Sequence, residues 1–95
     1  MFSLDVALLM DQRYLSGEEI HIGDRVVYAR FPGTILLVVD REEWPAAQSD
    51  KSRAWWRSEH KSGFLLRQDS FGRVFFPEAD EDLTFVSRGP APEDI

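Results

Sequence analysis

Short apolar runs separated by glycine, proline and acidic residues dominate the chain from residue 17 onward. Arg25-Val26-Val27-Tyr28-Ala29-Arg30 alternates, so Val26 and Tyr28 share one face of a predicted strand opened by Gly23-Asp24. Phe31-Pro32-Gly33-Thr34 reads as a type II turn, with proline setting φ at the second position and glycine taking positive φ at the third. Thr34 to Asp40 follows, with five consecutive aliphatic residues, the signature of a strand covered on both faces. Gly63 to Gln68 and Arg73 to Phe76 flank Asp69-Ser70-Phe71-Gly72, which predicts a hairpin with a four-residue connection. Pro77 to Asp82 suits one turn of helix, and Leu83 to Ser87 reads as the last strand.

Three stretches are less regular. Glu18 to Asp24 alternates, with Ile20 and Ile22 opposite Glu19 and His21, so a short additional strand is expected there. Residues 3–10 suit a helix or a strand equally. The segment from Trp44 to Ser62 is polar yet holds all three tryptophans; Pro45 would open a short helix, while Ser49-Asp50 would interrupt it in favour of a long loop with one helical turn. The expected architecture is an all-β, small SH3-like antiparallel β-barrel over residues 17–88. It would carry an N-terminal extension (1–16), a long Trp-containing loop and a frayed tail (89–95). An OB-like barrel is the alternative. Closing a small antiparallel sheet on itself removes edges that would otherwise invite pairing with other chains.

Composition narrows the chemistry. The 95 residues suit a single domain. A hydrophobic content of 43% with twelve aromatic side chains is enough to fold without help. The absence of cysteine removes disulfides, thiolate metal centres and thiol nucleophiles. The N-terminal apolar stretch is short and interrupted by Asp5, so neither a signal peptide nor a membrane span is expected, and the cytoplasm is the default location. A formal net charge of −6 argues against nucleic-acid binding by the surface as a whole.

No catalytic set, metal site or cofactor loop emerges. His21 reads as an exposed strand histidine and His60 as a loop bystander. Glu78, Asp80, Glu81 and Asp82 lack the central glycine and terminal glutamate of a calcium loop, and read as a solvated acidic turn. One segment departs from this background. Lys51 to Lys61 carries four basic residues and one acid around Trp55 and Trp56, inside an otherwise acidic chain. Trp and Arg are the side chains most enriched at interface hot spots, so Trp55, Trp56, Arg53 and Arg57 are the candidate partner anchors. The four acids of the turn form a second, electrostatic patch. Neighbours in an extended chain point oppositely, so one tryptophan is expected buried and the other exposed.

The pattern Gly23-Asp24-Arg25-Val26, Pro32-Gly33, Val38-Val39-Asp40-Arg41, Gly63-Phe64 and Pro77 through Leu83 resembles a group of small acidic bacterial proteins over roughly residues 17–88. These are similar to the immunity proteins carried beside polymorphic or type VI-secreted toxins. The resemblance implies a non-enzymatic protein that occludes a cognate toxin, and it brings no functional residues with it. Two other readings stand beside it: an SH3-like adaptor, and single-stranded nucleic-acid binding through residues 51–61.

Overall fold

The computed structural model describes residues 12–95; the helix-or-strand expectation for residues 3–10 lies outside them. The described residues form one antiparallel sheet of five strands and one helix. These are β1 (Arg25–Tyr28), β2 (Phe31–Val38), α1 (Asp50–Glu59), β3 (Phe64–Gln68), β4 (Gly72–Phe76) and β5 (Leu83–Ser87). Strand order is β4-β3-β2-β1-β5. The all-β expectation holds, but the sheet is not closed into a barrel, since β4 and β5 share no ladder. It is strongly curled all the same: Tyr28 on β1 meets Phe76 on β4 edge-on, with ring centroids 4.9 Å apart, although two strands separate them.

Curling gives the sheet two different faces. The inner face packs Ile20, Val26, Ile35, Val38, Phe64, Leu66, Phe76 and Leu83 together with Tyr14, so the packed region begins before residue 17. The outer face packs Leu36, Leu37, Val39 and Leu65 beneath Trp44, Trp56, Phe75 and Ile95. A register shift between Ile35 and Leu37 lets β2 present consecutive leucines to the outer face. That is why the aliphatic run has no polar alternation.

The expected turn at Phe31–Thr34 is displaced. Tyr28 pairs with Phe31, so the β1–β2 turn is Ala29-Arg30, with φ of 51° and 81°. Positive φ at both central residues is the type I′ geometry, whose hand matches the twist of the flanking strands. Pro32-Gly33 lies within β2 instead. Gly33 is there for close approach: a Cβ at this position would stand 2.6 Å from the Arg67 carbonyl oxygen and 2.7 Å from Leu66 Cδ1.

Three other expectations change. Ser49 starts α1 rather than interrupting it, because its Oγ accepts the Ser52 N–H at 3.2 Å and Asp50 sits favourably in the first turn. Pro77–Asp82 forms no helical turn. Asp80 Oδ1 accepts the Asp82 N–H at 2.8 Å and its carbonyl accepts the Leu83 N–H at 3.0 Å, a side-chain-closed turn that competes with helix. Residues 18–24 form no separate strand beyond the bridge between Arg13 and Glu19. The tail has no regular structure yet is anchored, as the Ala47 N–H donates to the Glu93 carbonyl at 2.9 Å and Ile95 packs on the outer face.

Candidate interaction surface

Helix α1 carries both central tryptophans, and the helical offset of about 100° between neighbours separates their roles. Trp56 faces the sheet and stacks on Phe75 of β4 at 5.8 Å and on His60 at 5.4 Å. His60, which the sequence suggested to be a bystander, lies 3.9 Å over Phe75 and completes this stack. Trp55 stands edge-on to Trp56 at 5.0 Å with 52% of its surface exposed. One ring is thus a support and its neighbour is offered to solvent, on a helix rather than an extended chain.

The expected arginine anchors are less free than the sequence suggested. Arg57 grips Glu42 through Nε at 2.8 Å and Nη2 at 2.6 Å, and its guanidinium lies 5.4 Å over the Trp44 ring. The Arg57 hydrogen bonds hold the Glu42 carboxyl below its ordinary range, and Glu42 in turn raises Arg57. Glu42 adopts φ of 55°, a left-handed conformation that side-chain clamping stabilises. Arg53 turns inward, with Nη2 3.4 Å from the Pro45 carbonyl oxygen. Lys51 and Lys61 form no ion pair among the described residues. Of the segment's four cations only Arg57 is ion-paired among the described residues, so its surplus positive charge rests on Lys51, Arg53 and Lys61 around the exposed Trp55 ring.

Glu78, Asp80, Glu81 and Asp82 lie in the β4–β5 connection, where the Ala29 N–H donates to the Asp82 carbonyl at 3.2 Å. This ties the acidic turn to the β1–β2 hairpin. No hydrogen bond or ion pair joins it to α1 among the described residues, so the two expected patches are separate features of the surface.

Sequence reasoning missed three groupings. Asp24 is 1% exposed and accepts hydrogen bonds from Tyr14 Oη at 2.6 Å, the His21 N–H at 2.9 Å and Arg88 Nη1 at 2.8 Å. Burial, then the bond to Asp24, pushes the Tyr14 hydroxyl far above its ordinary range. Phe31 and Phe71, which are 42% and 63% exposed, meet edge-on at 4.5 Å where the β1–β2 and β3–β4 hairpin ends converge. His21 is not a free surface histidine: Nδ1 lies 2.7 Å from Glu43 and Nε2 lies 3.0 Å from Glu19. A neutral ring has one N–H, so only the imidazolium donates to both carboxylates.

Burial opposes that charge, but the hydrogen bonds to Glu19 and Glu43 outweigh it and raise the His21 pKa. A raised folded-state value means the stabilising contribution is complete below the unfolded value of about 6.5 and fades as pH rises through the folded one. Denaturant midpoints of the parent and His21→Gln proteins, measured from about pH 5.5 to 8.5, should therefore differ most at the acidic end and converge at the alkaline end. A gap independent of pH would contradict the imidazolium bridge.

Among the described residues there is no pocket, no trio of His, Asp or Glu side chains placed for a metal ion, and no helix long and apolar enough to cross a membrane. No family model, curated protein or solved structure matches the chain.

Proposed function

We propose that the protein is a non-enzymatic cytoplasmic immunity protein that binds one cognate secreted toxin and occludes its working surface through α1. The observation that carries this reading is Trp55: a large ring, half exposed, held edge-on by Trp56, which is itself stacked on the sheet. A rigid aromatic presented this way loses little conformational entropy on binding, the property that makes tryptophan a hot-spot residue. Lys51 and Lys61 flank it as polar rim. The acidic turn and the net charge of −6 act at longer range, steering the protein toward a cationic partner.

The strand order β4-β3-β2-β1-β5 suits an SH3-like barrel left open between β4 and β5, and the curl that brings Tyr28 against Phe76 supports that reading. We read the fold as an opened member of that architecture. This keeps an adaptor role as the second reading, favoured by the exposed Phe31–Phe71 pair at the far end of the sheet from the α1-covered rungs.

Co-expression with the product of the adjacent gene, as the proposed toxin, tests the first reading. A stoichiometric complex that abolishes toxicity is the expected result. Failure to form any complex, with the protein itself folded, would overturn it. Binding of a short peptide through Phe31 and Phe71, with α1 indifferent, would favour the adaptor.

A further inference from the structure

The β3–β4 hairpin sets Arg67 directly opposite Arg73, and the same rung continues through Thr34 on β2 to Arg25 on β1. Their sequence neighbours Leu66 and Val74 pack on the inner face, so alternation sends all of these side chains to the outer face. Two residues along, the registered pair Leu65 and Phe75 lies beneath Trp56 and Ile95. The arginines thus occupy the part of that face the helix leaves open, and Arg67 and Arg73 are both exposed.

Like charges directly opposite on a sheet destabilise it. Arg25 has its own partners: Nη1 donates to Thr34 Oγ1 at 2.5 Å and Nη2 to Asp69 Oδ2 at 3.0 Å. Arg67 and Arg73 form no ion pair among the described residues, although the chain has seventeen acidic side chains. Asp69 stands next to the row, held below the ordinary carboxylate range by Arg25 first and by the field of Arg67 as well. Three arginines and one aspartate leave two positive charges uncompensated on one patch of sheet.

We propose that Arg67 and Arg73, with Arg25 beside them, form a binding site for a phosphoryl group. Cβ atoms of directly opposed residues lie about 4.5–5.5 Å apart, so two guanidinium forks can close on one ligand from both sides. A phosphoryl dianion has three terminal oxygens and accepts from both forks together, and its charge matches the surplus on the patch. A single carboxylate has two oxygens and one charge, which suits one-to-one pairing of the kind Asp69 already makes with Arg25. The site is independent of Trp55 and of any toxin. Its ligand is a small phosphate compound or the backbone of a single strand, which share this chemistry.

Arginine side-chain N–H resonances followed during titration distinguish these outcomes. The probes are sodium pyrophosphate, a short oligothymidylate and glutarate, each at ionic strength matched with chloride. Saturable shifts at Arg67 and Arg73 with pyrophosphate are expected, weakened about tenfold or more in Arg67→Gln and Arg73→Gln. Tighter saturation by the oligothymidylate would assign the ligand to a strand, and saturation by pyrophosphate alone to a small phosphate compound. Without ligand, Arg73→Gln should unfold at an equal or higher denaturant concentration, because it removes the repulsion, and this also certifies the variant as folded. No saturation with either phosphate probe, an unchanged affinity in both variants, or an equal response to glutarate would overturn the site.

Discussion

Asp24→Ala should lower the unfolding free energy by about 3 kcal/mol, a large share of what a domain of this size possesses. The carboxylate is buried and joins Tyr14, ten residues before it, and Arg88, sixty-four residues after it, to a local turn closed by the His21 N–H. Its removal leaves the Tyr14 hydroxyl and the His21 N–H without acceptors, each costing about 1–3 kcal/mol when buried. Arg88 contributes less to the loss, because its side chain is 47% exposed and can turn to water. Asp24→Asn keeps an acceptor at the same place and should lose roughly half as much. Urea unfolding followed by tryptophan fluorescence measures both. Equal stability of Asp24→Ala and the parent would show that the hub is incidental.

Gly63→Ala is expected to cost about 3 kcal/mol, combining backbone strain with overpacking. Gly63 has φ of +125°, and a Cβ there would run into the Phe76 carbonyl oxygen and stand 2.5 Å from Phe75 Cζ. Neither neighbour yields readily, since the Phe76 backbone is paired with Phe64 in the adjoining ladder and the Phe75 ring is stacked against His60 and Trp56. Gly63 is also held from both sides, its N–H on Asp40 Oδ1 at 2.5 Å and its carbonyl on the Val39 N–H at 2.9 Å. Gly17 provides the control. Its φ is +106° but nothing lies within 4 Å of a Cβ, so Gly17→Ala should show the strain alone, about 1 kcal/mol. Comparable losses at the two positions would contradict the steric account of Gly63.

The strands were legible where burial on one or both faces demands apolar residues. Ile35 to Val39, Phe64 to Leu66 and Val74 to Phe76 announce themselves in this way. The β1–β2 turn was not legible, because Ala29 and Arg30 take positive φ without the glycine or asparagine that signals it, while Pro32-Gly33 supplies that signal inside a strand. Ser49-Asp50 carried the right information for a helix start, since serine caps and aspartate favours the first turn, but the same residues also punctuate loops. Barrel closure could not be read from periodicity, which reports what each strand buries and is silent on whether the outermost strands meet.

The candidate site divides in the same way. Trp55 and Trp56 stood out by composition, and a helix separates them as an extended chain also would. The restraint of Arg57 depends on Glu42, fifteen residues earlier, and the separation of the acidic turn from α1 depends on topology. Neither is a local property. The Arg67–Arg73 pair was within reach: the hairpin signal at Asp69–Gly72 already set these residues opposite one another. The Asp24 hub was not, since its partners lie at 14, 21 and 88.

Trp55 is the proposed anchor for a protein partner. Calorimetric titration of the proposed toxin partner, sought as the product of the adjacent gene, with the parent protein and with Trp55→Ala measures this directly. The ring is half exposed and outside both core clusters, so its removal should leave the fold intact. Loss of about 2 kcal/mol of binding free energy, near 30-fold in Kd, with unchanged unfolding, is the expected result. Parent-like affinity in a folded Trp55→Ala protein would contradict the assignment.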